Sequence, residues 1–405
     1  MREIIDTVVI GAGQAGLSAS YYLTQSGREH LVLERSDKIA SKWSDERWDS
    51  FTIVTPNSRT ARAAHMPYRG NDPDGYMSRD ELVAFFHEFA DSFRPPIRYG
   101  ERVVEVNTSS DGSRFLVQTE SNEFVAQNVI VAAGMLDKPM IPNFSRELPP
   151  HMTQLHTSQY KNPAQLPPGS VLVVGTGQSG CQVADELCES GRRVFLSVGS
   201  NGRVPRRYRG KDCYVWVGLG DLNTKAGKYS NHAHVSGKAG GKNMNLHQFA
   251  LDGIVLLSRV QGVENGRLLL GSDLYERLEN ADRAAKEFMQ TVDAYIEREG
   301  IDAPPPDPPP ELSAGFQQEL LSEVDLAAEN ITNVIWATGF TFDLGWVKFD
   351  VLDSRGFPDQ RGRGVTNVPG LYFVGYSWEF QPKSVFVGSA GGEAEFVVNH
   401  IEKDG

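Results

Sequence analysis

Cysteine is scarce in this chain: the 405 residues contain three, Cys181, Cys188 and Cys213. No two of them stand at the CxxC spacing of a redox-active disulfide, which argues against dithiol exchange chemistry. Long hydrophobic runs are also missing. No stretch approaches the roughly 20 apolar residues of a membrane span. Residues 1–10 lead straight into a strand pattern, without the basic start and cleavage site of a secretory leader. Positive charge is in deficit, with a formal net charge of -12 and a pI near 5.3. A general binder of nucleic acid or anionic membrane needs a basic surface, so neither partner is expected and any anion site has to be local. These absences point to a cytoplasmic protein. Length and a 40% hydrophobic content allow more than one core, and ordinary domain sizes suggest two domains.

What is present is a doubled motif. The apolar run Thr7 to Ile10, the turn GAGQAG at 11–16, a helical stretch through Leu23 and the run Leu31 to Glu34 read as a βαβ unit. Gly11, Gly13 and Gly16 permit a tight turn and let backbone N–H groups approach a pyrophosphate at the helix N-terminus. A turn made only for close helix packing is the plainer alternative. Glu34 argues against it: it ends the next strand, 18 residues after Gly16, where a carboxylate accepts hydrogen bonds from ribose hydroxyls. A near copy begins at Val171, with an apolar run to Val174, the turn GTGQSG at 175–180, a helical pattern to about Glu189 and the run Val194 to Ser197. The two turns are 164 residues apart. That spacing is too wide for a short-period solenoid and indicates two dinucleotide-binding, Rossmann-like domains in an α/β fold.

The copies differ in one chemical respect. No acid closes the second strand of the second unit; Ser197 and Ser200 lead instead into Arg203, Arg206, Arg207 and Arg209. A missing acid with arginines nearby is the pattern that accommodates the extra phosphate of NADP. An ordinary solvated basic loop is the plainer alternative, since four arginines cannot all reach one phosphate; Arg203, Arg206 and Arg207 are the expected partners.

Between the units, Arg79 to Phe93 has the pattern of an amphipathic helix with Ser78 as its N-cap, and strand-like segments lie at 102–106, 115–118 and 129–132. Proline-rich stretches at 139–150 and 162–168 bracket a crossover. Further on come an irregular region at 200–272, a helical pattern from about Ser272 to Arg298, and the extended connector APPPDPPP at 303–310. Strand-like IWATGF at 335–340, GLYFVG at 370–375 and a closing helix near Gly392 to Ile401 complete the chain. The expected division is 1–155 with 331–405 as one domain, discontinuous in sequence, and 156–330 as the other. His232, His234 and His247 have no carboxylates or cysteines at ligand spacing, so no metal is expected. Cys181 and Cys188, seven apart, share a helix face suited to packing.

Taken in order, GAGQAG, Glu34, Lys42 with Trp43, VAAG at 131–134, GTGQSG, ATGF at 337–340 and LYFVG at 371–375 resemble the class B flavoprotein monooxygenases. These include N- and S-oxygenating flavin monooxygenases and Baeyer-Villiger enzymes, and the chain is similar to small bacterial members labelled as ion-transport flavoproteins. The resemblance spans nearly the whole chain; only 205–330 looks like a subgroup elaboration. It implies FAD on the first fingerprint and NADPH on the second, with the reduced flavin forming a hydroperoxide from O2 while the coenzyme stays bound. Gly11, Gly13, Gly16 and Glu34 would then contact FAD, with Lys42, Trp43, Gly134 and Gly375 around it. Gly175, Gly177 and Gly180 would hold NADPH, and Thr338 and Gly339 would form the turn linking the domains. Trp43 and Thr338 equally suit core packing and turn formation.

The family signature FxGxxxHxxx followed by an aromatic is half present. His156 and Tyr160 have its spacing, while its first half is missing. His156 reads either as a hinge residue or as an ordinary surface histidine. N-oxygenating relatives carry an asparagine in the stretch corresponding to FTIVTPNSR at 51–59; the resemblance implies Val54 in its place, with Asn57 nearby but out of register. Trp43, Asn57, His156 and Tyr160 are thus the candidate catalytic residues. The expected activity is FAD- and NADPH-dependent insertion of one oxygen atom from O2 into a small organic substrate, in a chain that can pair as a homodimer. A flavin oxidase or reductase without oxygenation, and a non-catalytic redox sensor, are the rival readings. Tyr214 and Trp216 are offered as pocket walls, with core burial as the alternative.

Overall fold

The computed structural model describes residues 3–62, 68–110, 112–199, 202–217, 234–354, 356–358, 363–376 and 390–404. The chain forms two compact units, each made of separated segments. One comprises Met1–Asp45, Asn57–Lys138 and Phe340–Gly405; the other comprises Glu46–Pro56 and Pro139–Gly339.

In the first unit, β1 (Glu3–Ile10), α1 (Gln14–Gln25) and β2 (His30–Glu34) form the expected βαβ turn. Both strands read as nearly continuous apolar runs because they are covered on both faces, as parallel strands under helices are. Helix α2 (Arg79–Phe93) starts at Ser78, whose hydroxyl accepts from the Glu81 N–H while the Glu81 carboxylate accepts from the Ser78 N–H. This reciprocal capping box satisfies two donors that a helix start leaves orphaned. Its buried face, Leu82, Phe85, Phe86, Phe89 and Ala90, brings Phe89 within 5.6 Å of the Tyr21 ring on α1. Then β3 (Ile97–Tyr99), β4 (Val103–Thr108), β5 (Phe115–Thr119) and β6 (Glu123–Val131) complete a seven-stranded sheet in the order β3-β2-β1-β6-β5-β4. The strand Leu371–Phe373 adds in parallel to β6 at Val129–Val131. Val8, Ile10, Leu33, Phe124, Val129 and Phe373 are among the side chains of this unit's core.

The second unit carries a five-stranded parallel sheet built from β7 (Thr153–His156), β8 (Ser170–Val174), β9 (Val194–Ser197), β10 (Val255–Leu257) and β11 (Ile331–Trp336), in the order β10-β9-β8-β11-β7. Helix α3 (Gln178–Glu189) follows β8 as α1 follows β1. The expected cuts at 155/156 and 330/331 therefore shift. The cut at 155/156 falls within β7 and β11 lies wholly outside 156–330, yet β11 sits between β8 and β7, with Trp336 opposite both Val174 and His156. Parallel pairing between strands so far apart in sequence leaves no local signal. The excursion of Glu46–Pro56 into this unit was likewise invisible.

The elaboration after β9 holds a three-stranded antiparallel sheet and the 26-residue helix α4 (Leu274–Glu299). Leu274, Leu278, Ala281, Ala285, Phe288, Val292 and Ile296 form its buried stripe, and Gly300, with φ +61°, ends it. Tyr214 and Trp216 are buried, and the Trp216 indole N–H donates to the Tyr208 carbonyl at 2.8 Å, so both are core residues. The stretch 303–310 is without regular structure and largely exposed; Asp307 accepts from the Arg209 N–H at 2.6 Å. Among the described residues, no helix is long and apolar enough to cross a membrane, and no group of His, Cys, Asp and Glu is placed to hold a metal ion. His232 and Ser200 lie outside the described residues.

Candidate functional site

The first glycine turn is fixed by close approach. Gly11 has φ +105°, and a Cβ there would sit 2.7 Å from the Ala132 carbonyl oxygen. A Cβ on Gly16 would lie 1.7 Å from the Gly11 carbonyl oxygen, so α1 can enter only with glycine at that position. Gly13 is different: a Cβ there would meet nothing within 4 Å. Packing does not require glycine at 13, and the open face it leaves at the start of α1 fits a group that must approach the backbone closely, as a dinucleotide pyrophosphate does.

Glu34 is buried at the end of β2, and its two carboxylate oxygens accept from the Ala12 N–H at 2.7 Å and the Ser36 N–H at 2.9 Å. A carboxylate offers about four lone-pair sites, so two remain for ribose hydroxyls. Lys42 donates to the Asp137 carbonyl at 3.2 Å, and the Asp137 carboxylate pairs with Arg35 at 2.8 Å. Trp43 is half-buried in the short helix Ser41–Asp45. Gly134 has φ +83°. Gly375 has φ +90°, its N–H donates to the Glu393 carboxylate at 2.6 Å, and a Cβ on it would approach Ala15 to 3.1 Å. Glu393, in the first turn of the helix Ala390–Asp404, thereby ties that helix to the glycine turn. The next residue, Tyr376, reaches the Gly134 carbonyl at 3.5 Å, and burial followed by the Asp137 charge pushes its phenol well above the usual range. Asn57 is buried, and its amide donates to Asp72 O at 2.9 Å and Tyr68 Oη at 3.3 Å. Those bonds make it a brace for the 68–75 loop.

The second turn repeats the backbone arrangement of the first. Gly175 has φ +106°, with the Ala337 carbonyl oxygen 2.6 Å from a built Cβ; Gly180 would place its Cβ 2.0 Å from the Gly175 oxygen; Gly177 faces open space. The Gly175 N–H donates to Ser197 O at 3.0 Å, as the Gly11 N–H does to Leu33 O at 2.8 Å. At the place of Glu34, 164 residues on, stands the buried Val198. The Thr176 hydroxyl instead accepts from the Gly199 N–H at 3.0 Å. The second cradle therefore has the same shape without the ribose-side carboxylate.

The arginine loop divides. Arg206 is 2% exposed, pairs with Asp212 at 2.7 Å, donates to Val54 O at 2.7 Å and lies over the Tyr214 ring. It is a core ion pair and is removed from the expected phosphate partners. Arg207 is exposed and donates to Gly240 O at 3.3 Å. Arg203 pairs with Asp282 at 2.6 Å and remains partly open to solvent.

His156 is fully buried, which overturns a surface placement. Its Nε2 lies 3.0 Å from the Gly339 carbonyl, which can only accept, so Nε2 carries the hydrogen and Nδ1 accepts from the Ser158 N–H at 3.2 Å. Burial lowers its pKa against the Gly339 bond and keeps it neutral. The Thr338 hydroxyl donates to Met140 O, and the Met140 N–H to Gly339 O at 3.0 Å. His156, Thr338 and Gly339 thus meet as one structural knot. Tyr160 is fully buried and donates to Glu186 at 2.8 Å; burial, then the Glu186 charge, raises its phenol well beyond proton exchange near neutral pH. Both residues serve the scaffold of the second unit. Glu393, Tyr376, Asp137 and Thr176 were missed from sequence. Superposing the two glycine turns would have found Thr176, whereas the others carry no local signal.

Residues 8–216 match the model of the pyridine nucleotide-disulphide oxidoreductase family. The chain is 33% identical over 404 residues to an uncharacterized CzcO-like oxidoreductase of Geobacillus kaustophilus, covering 99% of each chain. It is 32% identical over 205 residues to the rice indole-3-pyruvate monooxygenase YUCCA1, covering 50% of each. Its fold resembles the solved structure of a variant of a flavin monooxygenase from Stenotrophomonas maltophilia, with a TM-score of 0.69, 19% identity and 98% of each chain covered.

Proposed function

The chain belongs to the pyridine nucleotide-disulphide oxidoreductase family, and from that premise we propose that this flavoprotein oxidoreductase is an FAD-dependent, NADPH-consuming monooxygenase. It places one oxygen atom of O2 on nitrogen, sulfur or carbon of a small organic substrate. The observation that carries the reading is the pair of glycine cradles of matched shape and unmatched charge. The first, closed by Glu34, suits a ribose with free hydroxyls; the second, with Val198 in that place, tolerates a phosphorylated one. When bound, FAD and NADPH supply hydride transfer and oxygen activation.

The chain's own groups bind and orient. The open faces at Gly13 and Gly177 receive the two pyrophosphates, Glu34 holds the flavin-side ribose, and Glu393 fixes the turn at Gly375. Arg203 attracts the 2′-phosphate in a protein whose overall field is repulsive to it. We place the activity in the cytoplasm, with substrate, O2 and coenzyme as its partners. The name of the family also covers disulfide reduction, but Cys181, Cys188 and Cys213 are all free and burial raises each thiol, that of Cys181 to about 12, so a thiolate nucleophile is not provided. Val54 favours a second reading, an NAD(P)H oxidase or reductase, because an apolar side chain offers no hydrogen bond where N-oxygenating relatives have an amide.

The test is oxygen incorporation. Enzyme loaded with FAD is given NADPH, 18O2 and a panel holding a tertiary amine, a thioether and a cyclic ketone. One 18O atom in a product, with one NADPH oxidised per product, is expected. Return of all consumed O2 as hydrogen peroxide across the panel would favour the oxidase.

A further inference from the structure

Arg203, in the loop that follows β9, does not stand alone. Its Nη2 pairs with Asp282 Oδ1 at 2.6 Å, and Asp282 Oδ2 lies 3.0 Å from His247 Nε2. His247 is itself fixed: the Gly315 N–H donates to its Nδ1 at 3.0 Å, so the neutral ring carries its hydrogen on Nε2 and donates it to Asp282. Asp282 projects from the third turn of α4, and His247 comes from the helix Leu246–Leu251, both in the elaboration that the two nucleotide folds do not account for. Burial disfavours ionisation of Asp282, but the bonds from His247 and Arg203 outweigh it and hold the carboxyl below its usual range. Arg203, Met244, His247, Leu278 and Asp282 border a shallow surface recess. Among the described residues, Arg203 Nε has no hydrogen-bond partner, which leaves the guanidinium short of an acceptor.

We infer that Asp282 is a specificity-determining residue that restrains Arg203: as a fixed counter-ion it offsets the cation and limits how strongly the site prefers a 2′-phosphorylated nucleotide. This rests on the reading that Arg203 faces the 2′-phosphate. The sign follows from charge. A phosphate monoester carries about -1.5 to -2 at neutral pH, so a carboxylate locked onto its arginine opposes it, whereas an unphosphorylated ribose is indifferent. The locking matters, because both Asp282 oxygens are engaged and the carboxylate cannot swing away. Asp282→Asn keeps the shape and one acceptor for Arg203 while removing the charge. Near a protein surface, loss of one like charge improves binding of the phosphate on the order of tenfold.

Fragments carrying only the discriminating group provide the test, without turnover. Flavin-loaded wild type, Asp282→Asn, Asp282→Ser, His247→Gln and Arg203→Ala are titrated calorimetrically with 2′,5′-ADP and with 5′-AMP. In Asp282→Asn, 2′,5′-ADP should bind about tenfold tighter with 5′-AMP within twofold, and Asp282→Ser should shift the same way. His247→Gln, which keeps the charge, should leave the ratio of the two affinities unchanged. Arg203→Ala should weaken 2′,5′-ADP tenfold or more and spare 5′-AMP. If Asp282→Asn and Asp282→Ser leave the ratio unchanged or lower it while Arg203→Ala lowers it selectively, the role of Asp282 is refuted and that of Arg203 stands. If Arg203→Ala shows no selective loss, the underlying reading fails and the inference with it.

Discussion

Gly13 separates cofactor binding from folding, which makes it the most informative position to alter. Its backbone is extended, with φ -81° and ψ -172°, and a Cβ there meets nothing within 4 Å, so the branch point of Gly13→Val introduces neither backbone strain nor a clash within the chain. The folding cost is that of exchanging glycine for an aliphatic residue at a helix N-cap, about 1 kcal/mol. The cost to the cofactor is larger, because the new methyl groups fill the approach to the first N–H groups of α1. Losing two charge-assisted hydrogen bonds to a pyrophosphate, each worth about 1.5–3 kcal/mol, removes roughly 3–6 kcal/mol, or on the order of a hundredfold to ten-thousandfold in affinity. Flavin-to-protein absorbance after purification gives the occupancy, quenching of flavin fluorescence on the apoprotein gives the Kd, and thermal unfolding of both apoproteins gives the folding cost. A Gly13→Val protein that keeps stoichiometric FAD with a Kd within threefold of wild type would refute the cradle. Gly16→Ala is the contrasting control: its Cβ, 1.7 Å from a backbone oxygen, should prevent folding altogether. Gly177→Val should spare the flavin and lose the nicotinamide coenzyme.

Other expectations are as direct. Arg206→Ala leaves the buried Asp212 carboxylate without its guanidinium, so stability should drop by about 3–5 kcal/mol in denaturant melts while the NADPH-to-NADH preference of the folded enzyme stays unchanged; a selective loss of NADPH would return Arg206 to the phosphate site. Tyr160→Phe removes one hydrogen bond, and should cost about 1 kcal/mol of stability and leave turnover within twofold; a large fall in kcat at unchanged stability contradicts its scaffold role. Burial lowers the pKa of both His30 and His156. Their contribution is therefore intact above the unfolded value of about 6.5 and is lost as pH falls below it, where the unfolded chain takes up protons that the folded one refuses. Melting temperature should decline from pH 7 to pH 5, less steeply in His156→Gln; an identical slope in that variant removes His156 from the account.

What could be read from the sequence was what short-range patterns encode. The two glycine turns, the strands flanking them and the Ser78–Glu81 cap each sit within a few residues, and the structure has them where the pattern put them. Helix α4 was expected from about Ser272 to Arg298 and runs Leu274–Glu299, because its apolar stripe repeats clearly. The misses involve distance. Arg203 and Arg206 are the same residue type in one loop, and what separates a half-open cation from a core ion pair is Asp282 on a remote helix and Asp212 on a hairpin. His156 looked like a loop histidine because its partner, the Gly339 carbonyl, lies 183 residues away. Glu393 carried no mark of its link to Gly375, since a glutamate in the first turn of a helix is unremarkable for its dipole alone.

The threading of the chain between its units has a consequence for how the molecule is made. The second unit is complete in sequence once residue 339 has been synthesised, whereas the first unit still lacks Phe340–Gly405, including the strand that pairs with β6 and the helix that carries Glu393. Domains emerging from a ribosome at about 5–20 residues per second fold as their last segment appears, so this remainder takes roughly 3–13 s to arrive. Closure of the first unit is thereby the later of the two events. Throughout that interval β6 presents an unpaired edge at Val129–Val131, open to pairing with another chain until Leu371–Phe373 arrives to cover it.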